Sequence, residues 1–142
     1  MIKMEVLKER AKQYIKGKDV CVIATCSRNM PRASTVNYVS DGFTLYIVTS
    51  AQSTKVRNIG ENPNVSIAID DQGKERLCLQ AQGIATILSG REAEKARKFY
   101  CQFRDITKHK PELVDIMLRV ELKEIMFSDY TTGELKVYKF RV

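Results

Sequence analysis

The stretch richest in chemistry runs from Leu45 to Asn58, where an apolar segment ends in Thr49 and Ser50 and continues through Ser53, Thr54 and Lys55. Ser53 is of the type that caps a helix, and Val56 and Ile59 follow at the spacing of an inward face. A helix N-terminus exposes unpaired N–H groups and a partial positive charge, which together attract anions. Hydroxyls at Thr49, Ser50, Ser53 and Thr54 add donors, and Lys55 adds a cation. A first helical turn favours Asp or Glu and disfavours Lys by about 0.3–1 kcal/mol, which a bound anion would offset. The alternative is a plain cap at Ser53 with Lys55 reaching into water. Spacing alone leaves both open.

These residues need a scaffold, and the chain supplies one that is mostly strand. Met4, Leu7, Ala11, Tyr14 and Ile15 recur at helical spacing among charged residues, predicting an opening amphipathic helix that ends near Gly17. Val20 to Thr25 reads as a strand, and Ala33 to Val39 with Phe43 to Thr49 reads as a hairpin around Ser40-Asp41-Gly42, so the first half is expected to be three strands in meander. After the Ser53 helix, Gly60 offers a left-handed stop and Pro63 forbids continuation. Val65, Ile67 and Ile69 alternate in a fourth strand, and Asp71 to Lys74 turn into a fifth, Arg76 to Leu88, in which Gly83 marks a bulge. Asp70 and Asp71, the adjacent carboxylates, read as turn chemistry. Helical spacing of Ala93, Ala96, Tyr100 and Phe103 predicts another helix, and Pro111 starts a short one holding Leu113, Ile116 and Met117. Val120 to Ser128 and Leu135 to Val142 close the chain as a hairpin. About seven antiparallel strands with few helices predict a mainly β protein, a barrel with peripheral helices, forming one domain over residues 1–142.

Composition narrows the function classes. The 142 residues can bury a core without disulfides, and no apolar run approaches the length of a membrane span. With no secretory signal at the start, a cytoplasmic protein is expected. Cys21, Cys26, Cys78 and Cys101 show no metal-site spacing; Cys21 and Cys26 fall on opposite faces of one strand, so no metal site is expected. The formal charge of +7 suits an anionic partner without choosing it. A single-strand nucleic-acid surface would interleave aromatics with cations on one face, and Tyr38 and Tyr46 are better explained as barrel walls, so no nucleic-acid role is expected.

The order Arg28-Asn29-Met30-Pro31-Arg32-Ala33-Ser34-Thr35-Val36, then Asp41 to Tyr46, Thr49-Ser50, Ser53 to Ile59, and Asn62 to Ser66 resembles the FMN-binding split β-barrel of the pyridoxamine 5'-phosphate oxidase-like superfamily. The strand at Gln82 to Ala85 and the helix at 91–104 extend the resemblance to most of the chain. It implies that Ser53, Thr54 and Lys55 grip a flavin phosphate, with Thr49 close to the ring system and Ser50 beside it. It further implies that Arg32, Ser34, Thr35 and Asn37 lie along the ribityl chain and isoalloxazine, and that the site is completed by the second subunit of a homodimer. Thr54-Lys55 stands where the true oxidase has an Arg-Lys pair, so Arg32 or Arg57 would supply the second cation. The absence of Trp and of an Arg-rich tail argues against oxidation of pyridoxamine phosphate.

The function this implies is an FMN-dependent oxidoreductase that passes electrons from NAD(P)H to a small acceptor. The flavin would carry the electron chemistry, so no acid–base pair need be visible. The alternative from another class is a non-enzymatic module that binds flavin, deazaflavin or haem. His109, the sole histidine, lies in a polar loop and reads as surface rather than as a haem ligand.

Overall fold

The computed structural model describes residues 2–142. The opening helix α1 (Met4–Lys16) buries Leu7, Ala11, Tyr14 and Ile15, the face that the 3.6-residue period selects. Two polar contacts fasten it. The Arg10 guanidinium meets the Asp129 carboxylate at 2.9 Å, and the Tyr14 hydroxyl donates to the Leu77 carbonyl at 3.0 Å.

Strands β1 (Val20–Ser27), β2 (Met30–Asn37), β3 (Val39–Asp41) and β4 (Thr44–Thr49) follow. Helix α2 (Thr54–Glu61) leads to β5 (Asn64–Asp70) and β6 (Leu77–Ile87). Helix α3 (Gly90–Cys101) precedes β7 (Ile116–Asp129) and β8 (Lys136–Arg141). Seven strands run in the order β2-β1-β5-β6-β7-β4-β3, all antiparallel, and β8 adds to β7. The long β7 makes this possible. Along one side it follows β6, while on the other its first half pairs β4 (Thr49↔Ile116 to Thr44↔Glu121) and its second half pairs β8 (Glu124↔Arg141 to Asp129↔Lys136). The sheet curls around Ile23, Leu45, Ile47, Ile67, Ile69, Leu79, Leu118, Val120, Leu122 and Phe127, each almost fully buried.

The β6–β7 register shifts between Gln82 and Gly83, as the glycine predicts. A Cβ on Gly83 would lie 2.8 Å from the Glu121 carbonyl oxygen, so the backbones cross there too closely for any side chain.

Four local expectations are corrected. The first hairpin joins β1 to β2 through Arg28-Asn29, both at positive φ (51° and 66°), and β2 does not pair β4. Residues 33–39 are not one strand because Tyr38 and Val39 are both buried, which breaks the alternation; the Tyr38 hydroxyl donates to the Ile15 carbonyl and its N–H to the Asp19 carbonyl at 3.0 Å. The short β3 then pairs β4 across Gly42-Phe43. Gly60 is an ordinary helical residue; α2 ends instead at Asn62, where the chain is extended before Pro63. The helix expected from Pro111 is only the single 3-10 turn Pro111–Leu113, because Ile116 and Met117 enter β7 and pair with Thr49 and Val48.

Candidate functional site

Helix α2 and the end of β4 set the geometry. Ser53 takes extended backbone and its hydroxyl accepts from the Val56 N–H at 3.4 Å, the predicted cap. Before it, the Ser50 carbonyl accepts the Ser53 N–H at 3.0 Å, the Ser50 hydroxyl accepts the Gln52 N–H at 3.2 Å, and Asp115 accepts the Ala51 N–H at 2.9 Å. The connection is thus shaped by its own polar groups together with Asp115, which lies just before β7. On its inward side α2 is pinned to the sheet. Buried Asn58 donates to the Thr25 hydroxyl at 3.0 Å, and Asn62 donates to the Cys26 carbonyl at 3.1 Å.

With α2 fixed, Lys55 is directed back over the end of β4, where its ammonium donates to the Thr49 hydroxyl at 3.1 Å. Thr49 is buried and Lys55 half-buried. Burial, and then the charge of Arg32, lower the lysine pKa from its ordinary value, and no carboxylate counters them. Among the described residues Lys55 makes no ion pair. This is a partly desolvated cation beside a second cation at a helix N-terminus, an arrangement that a bound anion would stabilise.

The β1–β2 register decides how β2 presents its side chains. Residues opposite each other share a face, and Thr25↔Arg32, Ile23↔Ser34 and Cys21↔Val36 place Arg32 and Ser34 on the inner face with α2. Thr35 and Asn37 stand on the opposite, outer face, across from Val22 and Val20. Arg32, Thr49, Ser53, Thr54 and Lys55 therefore gather around the α2 N-terminus, Ser34 lies farther along the same face, and Ser50 serves the turn. Cys21 and Cys26 likewise fall on opposite faces, and all four thiols are free.

Residues beyond the expected set join this region. Arg28, Arg57, Asn58 and Glu61 line a groove of about 470 Å³ between α2 and the β1–β2 hairpin, together with Arg32 and Thr54. The signal was present in the helical spacing of Thr54, Arg57, Asn58 and Glu61, which shows once the opposing hairpin is known.

The outer face is also distinctive. From Pro31, Ala33 and Thr35 of β2 through Val22, Ala24, Ser66 and Ala68 to Gln80 and Gln82 of β6, this face carries no charge, Asp70 at one end excepted, and charge returns on β7 with Glu124 opposite Gln82. Charged residues make up 29% of the chain, so their absence across four strands marks this face out. Val20 and Val22 are 44% and 38% exposed on it. His109 is exposed in its loop, away from this region.

Comparison with known proteins agrees with this architecture. A sequence model of the pyridoxamine 5'-phosphate oxidase family matches residues 7–124. The chain belongs to that family, and its fold is the split barrel of flavin-binding proteins. No curated protein matches the sequence. Among solved structures it resembles a putative pyridoxamine 5'-phosphate oxidase from Listeria innocua (18% identity, 84% of this chain and 95% of that one, TM-score 0.69). It also resembles an FAD-binding protein from Mesorhizobium loti (17% identity, 84% and 90%, TM-score 0.70). A haem-binding protein from Mycobacterium smegmatis shares the fold (20% identity, 97% of this chain, TM-score 0.75), but the chain spans only 59% of its length. Relatives of this fold thus bind flavins or haem. No helix among the described residues is long and apolar enough to cross a membrane.

Proposed function

We propose that the protein binds FMN and passes electrons through it from a nicotinamide donor to a small acceptor. The observation that carries this reading is Lys55, a half-buried cation with no carboxylate partner, bonded to Thr49 and facing Arg32 at the α2 N-terminus. In this reading the phosphate lies among Ser53, Thr54 and Lys55, with Arg32 as the second cation in place of the arginine that the Thr54 position lacks. Ser34 lines the path of the ribityl chain. FMN would supply reversible hydride and electron transfer, while the chain orients it and neutralises its phosphate.

The uncharged outer face fits a homodimer. Apolar and small side chains on β1, β2 and β5 would be covered by a second copy, and Thr35 and Asn37 would reach the partner's side of the shared site. Such a dimer would work in the cytoplasm, where the free thiols stay reduced.

Titration of the apo-protein with FMN and riboflavin tests the reading. FMN is expected at one per subunit with riboflavin far weaker, and equal affinities would remove the phosphate role of Ser53-Thr54-Lys55. An absorbance spectrum of the purified protein separates flavin from the haem or deazaflavin alternative. Sedimentation at micromolar concentration is expected to give a dimer, and a monomer that holds FMN tightly would contradict the shared site.

A further inference from the structure

The inner face of β1 carries Cys21, Ile23 and Thr25, and the last of these is a hydroxyl where its neighbours are apolar. Thr25 is 2% exposed and Asn58 of α2 is 7% exposed, and the Asn58 amide donates to the Thr25 hydroxyl at 3.0 Å. Burying two such groups costs free energy that their mutual bond roughly returns, so a Leu and a Val of similar shape would serve stability as well. What an apolar pair lacks is direction. Contact between methyl groups tolerates a slide or a turn of the helix, whereas an N–H···O bond restricts both. Two other polar groups tie α2 to β1, Asn62 to the Cys26 carbonyl at 3.1 Å and Glu61 to the Ser27 hydroxyl, but both lie at the last turn and neither is fully buried.

The buried bond stands where the two cations of the phosphate site meet. Asn58 follows Lys55 by one helical turn, so the two are neighbours along α2. Thr25 stands opposite Arg32 in the β1–β2 ladder and shares its face. Lys55 and Arg32 thus hang from the two ends of one hydrogen bond. They are like charges, neither forms an ion pair among the described residues, and α2 offers no acid in its first turn. Their repulsion tends to lift the helix from β2. A ligand that draws them together gains most when they already stand at the right separation before it arrives.

We propose that Asn58 and Thr25 are positioning residues for the anion site: their buried bond holds Lys55 and Arg32 at a fixed separation against mutual repulsion, and so sets the preference for a phosphorylated ligand over its uncharged counterpart. The proposal rests on the phosphate reading above and adds to it the part of the scaffold that keeps the two cations in place. Neither Asn58 nor Thr25 needs to touch the ligand for this.

The double variant Asn58→Leu with Thr25→Val tests it, since it removes the bond without leaving a buried group unpaired, and a thermal melt checks that the fold persists. Thr25→Val alone gives the same readouts should the double variant not fold. Fluorescence titration of the apo-protein is expected to show FMN weakened about tenfold and riboflavin moved by less than about twofold. Thr25→Ser, which keeps the hydroxyl, is expected to retain the wild-type ratio. NMR titration of the Lys55 side chain supplies a readout without ligand: with Arg32 released, its midpoint is expected to rise toward the ordinary lysine value. An unchanged ratio of FMN to riboflavin affinity, a parallel loss of both, or a lost ratio with an unmoved Lys55 midpoint each overturns the positioning role and leaves the phosphate reading standing. A wild-type protein that binds both flavins alike overturns the phosphate reading and the proposal together.

Discussion

Lys18 and Lys55 are the same side chain in opposite circumstances. Lys18 sits under α1 with its ammonium 2.6 Å from Glu75 and 3.3 Å from Asp71, and the hydrogen bond to Glu75 leads the contacts that raise its pKa. Lys55 sits over the end of β4 with a neutral hydroxyl for a partner and an arginine for a neighbour, and its pKa is lowered. Arg10 with Asp129 repeats the first pattern. Where cations have carboxylates they fasten a helix to the barrel, and where they lack them the fold leaves electrostatic work for a ligand. One end of the molecule is complete and the other is not.

That contrast breaks most readily at Asp129. Burial alone would raise its pKa, but hydrogen bonds from Thr131 and Arg10 outweigh it and hold the carboxyl at about 2. Asp129→Ala is expected to cost about 3 kcal/mol in chemical denaturation at neutral pH, because it removes hydrogen bonds to a charged group and leaves Arg10 unpaired. FMN affinity, measured by titration, is expected to hold. Since the folded pKa is depressed, the contribution is present above the ordinary aspartate value, about 3.9, and is lost as pH falls through about 2. Denaturation midpoints of wild type and variant are therefore expected to converge across that acid window.

Lys55→Gln is expected to do the reverse. FMN binding weakens by about 1.5–3 kcal/mol, roughly ten- to hundredfold, while the ligand-free fold loses nothing. It should gain by about 0.3–1 kcal/mol, since a cation leaves a helix N-terminus. Lys123→Gln, on the surface beside Glu121, controls for the general field of the +7 chain and is expected to leave affinity unchanged. Unchanged FMN affinity in Lys55→Gln would place the phosphate elsewhere.

The smallest effect sharpens the comparison in alkaline solution. With its pKa raised, Lys18 contributes stability that is present below the ordinary lysine value, about 10.4, and is lost as pH rises through its folded value. Lys55, with its pKa lowered, does the opposite: the ligand-free fold gains as pH rises from the folded value toward the ordinary one. Urea midpoints against pH are expected to fall more steeply for Lys55→Gln than for wild type, and less steeply for Lys18→Gln.

Much of the site was legible because its determinants are local. The cap at Ser53, the cation at Lys55 and the stop at Pro63 act within a dozen residues, and each takes the expected place. The bulge at Gly83 was legible for the same reason, as glycine inside a strand has few other uses. What failed depended on partners far along the chain. Ile116 and Met117 fit a helical turn after Pro111 equally well, and only pairing with Thr49 and Val48 of β4 commits them to a strand. The β1–β2 adjacency was legible as part of a meander, but not its tight turn at Arg28-Asn29, which lacks the usual glycine; the arginine-lined groove was not legible, because its two walls come from different elements. The assignment of Thr35 and Asn37 to the outer face likewise needed the register.

The double duty of β7 has a kinetic consequence. Its pairing with β8 closes a short turn (Asp129↔Lys136) and its pairing with β6 a connection through α3 (Ile87↔Leu118), whereas Thr44↔Glu121 joins residues from opposite halves of the chain. Closing the longer loop costs more chain entropy before any contact rewards it. The β6-β7-β8 meander is therefore expected to gain protection from hydrogen exchange first during refolding, with β4 docking on β7 later. The Thr49–Lys55 corner, built on the end of β4, then takes its shape in the last phase, and a ligand bound there acts as a late lock on the finished barrel rather than a template for it.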